Sequence, residues 1–329
     1  MRRPMALVLA LTVVLLAACT CRAADKGGVT DPAQADADFA FQGEYAGMVK
    51  GDEGDKKIGV QVIALGDGKF QVMAYTGGLP GDGWDKSEPK KVEGVRDGDA
   101  VKITTDEATA TIKDGVISVT KDGNPVCEFQ KVERASPTLH ARPPAGAVVL
   151  FDGTTAEHFE KGRLTEDGLL MPGVTSKQKF QDFTLHLEFM TPYLPAARGQ
   201  ARGNSGCYLQ GRYEVQILDS FGLEGKNNEC GGIYEIKDPD VNMCLPPLTW
   251  QTYDIDYTAA RYDEEGNKKA NARITVKHNG VTVHHNVDLP RATRAAPVKE
   301  GPEPGPVYLQ DHGNPVRFRN VWVVERSEG

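Results

Sequence analysis

Apolar and polar residues alternate in short runs along most of the chain, with Gly, Pro, Asn and Asp between the runs. That period of two, in which successive side chains point to opposite faces, predicts strands. Between residues 41 and 133 the runs are GEYAGMV, KIGVQVIAL, KFQVMAYT, AVKITT, ATATIKDG, VISVTKDG and PVCEFQKV, separated by Gly-Asp, Asp-Gly or Gly-Gly turns. They predict a small antiparallel barrel or sandwich. The stretch 134–146, RASPTLHARPPAG, carries Pro137, Pro143 and Pro144 without apolar periodicity and reads as a linker. Beyond it, residues 147–329 form a second β unit. Its clearest local element is ARITVKHNGVTVHHNV, two alternating runs joined by Asn279-Gly280, residues that supply the positive φ angles of a type I′ hairpin turn. No long amphipathic helix and no internal repeat is visible, so the chain is all-β with a two-sheet sandwich as its larger unit.

Parity also assigns faces. In FTLHLEF, Phe183, Leu185, Leu187 and Phe189 face a core, leaving Thr184, His186 and Glu188 on a wet face. Tyr213, Val215 and Ile217 point inward, so Glu214 and Gln216 point outward. Tyr308, Gln310 and His312 share a face opposite Leu309 and Asp311. The loop Gly77–Asp85 carries Trp84, either an exposed sugar platform or an anchor packed on the first unit.

Composition narrows the partners. With 38 basic and 46 acidic side chains and no Lys/Arg block, the chain lacks the electrostatic footprint of a nucleic-acid binder. The N-terminus, Met-Arg-Arg followed by an apolar run from Met5 to Ala18 and Leu16-Ala17-Ala18-Cys19, reads as an export signal with a bacterial lipobox. Residues 1–19 are then a lipoprotein signal, with Cys19 the lipidated residue. Residues 20–40 are a flexible tether. The expected location is the periplasm or cell surface, anchored to the outer membrane through that lipid. Among the six cysteines, Cys230 and Cys244 flank NECGGIYEIKDPDVNMC, and a disulfide between them is expected in an oxidising compartment. Cys127 and Cys207 read as buried free thiols.

Five segments, VVLFDGTTAEHF, RGNSGCYLQGRYEVQILDS, CGGIYEIKDPDVNMCLPPLTWQTYDIDY, NARITVKHNGVTVHHNV and LQDHGNPVRFRNVWV, resemble in order and spacing the 3-keto-disaccharide hydrolase family, whose members are also called 3-keto-glucoside 1,2-lyases and 3-keto-glucal hydratases. The resemblance covers about residues 147–325. It implies a concanavalin A-like jelly roll and an oxidised saccharide as substrate. A ketone at C3 acidifies the C2 proton, so a base can remove it, the C1 substituent can leave, and water can add across the alkene. Such a site needs a base, an acid for the departing oxygen and donors for the enolate.

On that reading Glu214 or His312 is the base and Asp219 the proton donor. Arg202 and Asn204 of RGNSG bind the ketone or sugar hydroxyls, with Tyr208, Gln216 and Gln310 as further binding candidates. Simpler roles compete: Glu214 pairing with Arg212, Asp219 capping the turn that follows it, His312 ordering its own turn. An ordinary retaining carboxylate pair is disfavoured, because five strand residues span roughly 16 Å and odd spacing puts Glu214 and Asp219 on opposite faces. No motif demands a cofactor. Glu214, Asp219 and His312 include ligands suited to a divalent ion, so metal dependence stays open. Adjacent His284 and His285 point to opposite faces and make a poor metal pair. The alternatives to an enzyme are a non-catalytic, lectin-like surface lipoprotein and a structural surface component.

Overall fold

The computed structural model describes residues 28–51 and 54–326; the signal sequence and Cys19 lie outside the described residues. The first unit is a closed antiparallel barrel of β1 (Gly43–Val49), β2 (Lys56–Gly66), β3 (Lys69–Thr76), β4 (Lys90–Asp97), β5 (Ala100–Thr104), β6 (Thr109–Lys113), β7 (Val116–Lys121) and β8 (Asn124–Val132). Closure comes from β1 pairing with β8, Tyr45 opposite Lys131. Alternate residues Tyr45, Val60, Val62, Phe70 and Val72 fill the interior with Val101, Ile103, Ile112 and Phe129. The strand the hydrophobic pattern misses is β4, KKVEGVRD, whose side chains are mostly charged or exposed. Trp84 is a loop anchor: its indole donates to Ser87 O at 3.0 Å and its ring packs edge-on against Tyr75.

Residues 28–40 of the expected tether are ordered against the barrel and its neighbour. Val29 pairs with Tyr193, and the buried Asp38 accepts from Gly68 N at 2.8 Å and pairs with Arg96.

The second unit contains β9 (Val148–Phe151), β10 (Phe159–Glu160), β11 (Val174–Phe180), β12 (Phe183–Met190), β13 (Ser205–Leu209), β14 (Tyr213–Ile217) and β15 (Gln251–Thr258). It continues through β16 (Arg261–Tyr262), β17 (Lys268–Ala270), β18 (Ala272–His278), β19 (Val281–Leu289), β20 (Gly305–Leu309) and β21 (Arg317–Glu325). A five-stranded sheet runs β10-β11-β20-β13-β14 and a six-stranded sheet β19-β18-β15-β12-β21-β9; β16 and β17 form a small ribbon. Their facing sides bury Phe183, Leu185, Leu187, Val215, Ile217, Ile255 and Val307 in one core. Each such side chain contributes roughly 1.5–3 kcal/mol over leaving it exposed. The hairpin turn between β18 and β19 is as predicted, with Asn279 at φ 49° and Gly280 at φ 79°.

The two units share packing. Ile63, Leu65 and Met73 project from the outside of the barrel into the sandwich core cluster. Arg202 reaches back across the junction, its guanidinium donating to Ala64 O at 3.3 Å.

The face of β12 expected to be wet is dry. His186 and Glu188 are fully buried, because the 134–146 segment lies across them as a strap. Arg134 ties the start of that strap to barrel Glu44 by two bonds of 2.6 Å. Farther along, the Thr138 hydroxyl donates to Asp254, the His140 backbone N–H donates to Glu188, and Ala141 O accepts from Asn320. Parity correctly put these side chains outside the sandwich core, but it could not foresee a remote segment covering them.

Candidate active site

On the outer face of the five-stranded sheet lies a cavity of about 110 Å³. Its floor is made by neighbouring strands. Tyr208 comes from β13, Glu214 and Gln216 from β14, Gln310 from just beyond β20, and Asn204 from just before β13. His312 stands exposed at the rim. Residues separated by up to 108 positions thus meet because β20 pairs with β13 and β13 with β14. Gly206 makes room at the centre: a Cβ there would sit 2.1 Å from Glu214 Oε1.

Glu214 is the chemical focus. The Tyr208 hydroxyl donates to its Oε2 at 2.7 Å, and Gln310 Nε2 in turn donates to the Tyr208 oxygen at 3.2 Å. Burial raises the Glu214 pKa to about 7, the Tyr208 bond partly opposing the rise. A carboxyl poised there can take a proton at neutral pH. Burial and the nearby Glu214 push the Tyr208 hydroxyl upward, so it remains a donor. Arg212 does not pair with Glu214; it bonds Lys299 O and Gln210 Oε1 instead.

A second polar chain binds the floor to the wall. Gln200 Oε1 accepts from both Gln216 Nε2 at 3.0 Å and Asn204 Nδ2 at 3.1 Å. Asn204 Oδ1 is buried without a partner, an acceptor available to a sugar hydroxyl.

Two expected site residues are elsewhere. Asp219 is buried and bound at 2.7 Å to Arg202 Nε, and it accepts from Phe221 N in the turn that follows. This capped, ion-paired carboxylate faces away from the cavity, as its odd spacing from Glu214 requires. Arg202 is spent on Asp219, Ala64 O and Pro195 O. Neither lines the cavity.

The expected disulfide is also replaced. Cys230 and Cys244 are free, buried thiols. Each has its own partners, Cys230 with the Tyr253 hydroxyl and Cys244 with Leu218 O and Leu245 O.

Four cavity residues escaped the sequence reading: Gln200, Tyr234, Arg294 and Ala295. Tyr234 was within reach of parity. Its segment pairs alongside β14, with Ile233 inward opposite Val215 and Tyr234 N bonded to Glu214 O. Gln200 sits in a one-turn 3₁₀ helix, Gly199–Ala201, and Arg294 in a loop, and neither stretch carries a period.

Metal ligands are sparse. Among the described residues no group of three or more His, Cys, Asp or Glu is arranged to hold an ion. The cavity offers one carboxylate already bonded to a phenol and one rim imidazole, a donor set that does not fit a divalent cation. His284 is buried with Nε2 2.7 Å from Gly231 O, and His285 is exposed on the opposite side.

A larger cleft of about 570 Å³ separates barrel and sandwich, lined by Phe39, Glu44, Arg134, Leu248 and Trp250 among others. Its principal charged pair, Glu44 and Arg134, is mutually satisfied. The smaller cavity alone gathers a neutral-range carboxyl with convergent amide and hydroxyl groups.

Comparison with known proteins bears on the sandwich unit as a whole. A solved structure from Parabacteroides distasonis ATCC 8503, described as a "putative glycosyl hydrolase", is 36% identical, with a TM-score of 0.51 over 56% of this chain and 85% of that one. Another from the same organism, described in the same words, is 18% identical, with a TM-score of 0.41 over 55% of this chain and 94% of that one. No curated protein matches. Residues 146–324, from the end of the strap through β21, match the family of 3-keto-alpha-glucoside-1,2-lyase-like domains, and the chain belongs to that family.

Proposed function

We propose that the sandwich unit cleaves 3-keto-glycosides, with Glu214 as the base that removes the C2 proton. The family and the first solved relative support a carbohydrate-processing enzyme in general. The observation that carries the finer reading is that the cavity holds a single carboxyl, raised to about 7, because Asp219 is turned away. Double displacement and direct inversion each require two carboxyls in the site. Proton abstraction next to a ketone requires one.

In this scheme Glu214 takes the C2 proton and the bonding pair moves to an enolate on the C3 oxygen. The enolate collapses, C1=C2 forms, and the C1–O bond breaks. His312, an imidazole at the rim with no hydrogen-bond partner among the described residues, gives the departing oxygen its proton. Water then adds its oxygen to C1, passing a proton to His312, while Glu214 returns a proton to C2. The sum is hydrolysis. Asn204, Gln216 and Gln310 supply hydroxyl contacts.

Incubation with chromogenic 3-keto-α- and 3-keto-β-glucosides tests the proposal. Aglycone release accompanied by absorbance of the unsaturated ketone is expected from one anomer. Absence of release from both rejects it.

A further inference from the structure

Glu214 sits in the middle of the cavity floor, and its two flanks differ in chemistry. On the β20 side stand Gln310 and His312. On the other side, beyond β14, stand Tyr234 and Arg294. In a pyranose, C1 and C3 are the two neighbours of C2. A base centred on C2 therefore places the departing oxygen over one flank and the ketone over the other.

We infer that Tyr234 and Arg294 form the oxyanion site, holding the negative charge that develops on the C3 oxygen; this rests on the proton-abstraction reading above. The choice of flank follows from what each group can do. A guanidinium stays charged and cannot act as a proton donor that recovers at neutral pH, but it holds an anion well. An imidazole can give up and regain a proton there. The group over C1 must transfer a proton and the group over C3 must not.

Geometry supports the pairing. The Tyr234 hydroxyl has no hydrogen-bond partner among the described residues, and Tyr234 lines the same small cavity as Arg294 and Tyr208. Arg294 uses Nη1 for Glu235 Oε1 at 3.0 Å, which leaves its other N–H groups for a ligand. The loops that present the two residues each carry a non-glycine positive φ, Glu235 at 54° and Ala295 at 60°, and Arg291 clamps Glu235 O at 3.1 Å. Left-handed backbone at ordinary residues persists only where surrounding contacts hold it.

A 3-keto sugar analogue lacking the C1 substituent can enolise but cannot eliminate. Deuterium uptake at its C2, followed by NMR in heavy water, reads enolate formation alone. Arg294→Met and Tyr234→Phe should each slow uptake by roughly 10²-fold, the cost of losing one oxyanion donor, through the saturated rate rather than KM. Arg294→Lys should recover part of it, and His312→Ala should leave uptake intact while blocking aglycone release. Uptake within threefold of wild type in both flank variants, with Glu214→Gln inactive, overturns this inference and spares the base assignment. Uptake unaffected by Glu214→Gln overturns both.

Discussion

Two buried glutamates on opposite outer faces of the sandwich have been driven in opposite directions. Glu214 on β14 and Glu188 on β12 are 3% and 0% exposed. Burial alone pushes both upward. Glu188 nevertheless falls to about 2, because His186, Asn320, Arg319 and the His140 backbone N–H together outweigh that push. Glu214 receives only the Tyr208 hydroxyl and stays at about 7. The number of donors around each carboxylate, three from β12 and β21 and one from the strap at Glu188 against a single phenol at Glu214, separates a structural anion from a base.

The comparison breaks most visibly at Glu214. Glu214→Gln should lower kcat/KM by up to about 10⁴-fold on a 3-keto-glucoside, the upper range for losing a general base. The limb of the wild-type kcat/KM profile that reports Glu214 should rise with pH through about 7 as the carboxyl ionises. Stability should move the other way. The folded carboxyl binds a proton more tightly than the unfolded one, so Glu214 costs stability progressively from about pH 4.5 to 7, by roughly 3 kcal/mol in all. Denaturant unfolding at pH 8 should therefore find Glu214→Gln more stable than wild type. Equal or lower stability would mean the carboxyl is not held near 7.

Glu188 carries the opposite sign. Its lowered pKa gives stability that is complete above about pH 4.5 and lost as pH falls towards 2. Glu188→Gln should cost about 3–4 kcal/mol at neutral pH, as breaking a buried ion pair does, and release the strap to proteolysis between residues 134 and 146. His186, raised by Asp254 and Glu188 against the effect of burial, adds stability that fades above about pH 6.5. Only the difference between wild type and Glu214→Gln isolates the Glu214 slope. Catalytic rates in Glu188→Gln should stay within a few fold of wild type at temperatures where it remains folded.

The same contrast explains what was legible in the sequence. Alternation located the barrel, the hairpin at Asn279-Gly280 and the outward side of β14, because those depend on neighbours in sequence. It missed β4, where KKVEGVRD spends its outward positions on charge. It also treated the faces bearing His186 and Glu214 as equivalent. Which face stays open depends on where a proline-rich segment 37 to 49 residues upstream of β12 comes to rest, and no local period encodes that. Asp219 shows the limit from the other side. Parity turned it away from Glu214, yet its residue type still suggested an acid, and only the Arg202 contact reveals its role. Asp219→Asn should accordingly cost about 3 kcal/mol of stability by leaving Arg202 without its partner, while kcat changes less than fivefold. A loss of kcat comparable to that of Glu214→Gln would return Asp219 to the chemistry.

The smallest expected effect is the most specific. Among the described residues Tyr208 is the sole donor to the Glu214 carboxylate, and its bond favours the ionised form. Removing the hydroxyl withdraws a hydrogen bond to a charged group, worth on the order of 1 kcal/mol, so the apparent pKa of the kcat/KM profile should rise by somewhat less than one pH unit in Tyr208→Phe. Activity at pH 6.5 should drop several-fold, while activity above pH 8.5, where the carboxyl is ionised in both proteins, should nearly converge. Gln310 would lose the acceptor for its Nε2. An unchanged pKa with a uniformly lower rate would instead make Tyr208 a substrate ligand, and would leave burial alone to account for the position of Glu214 between its usual range and the structural extreme reached by Glu188.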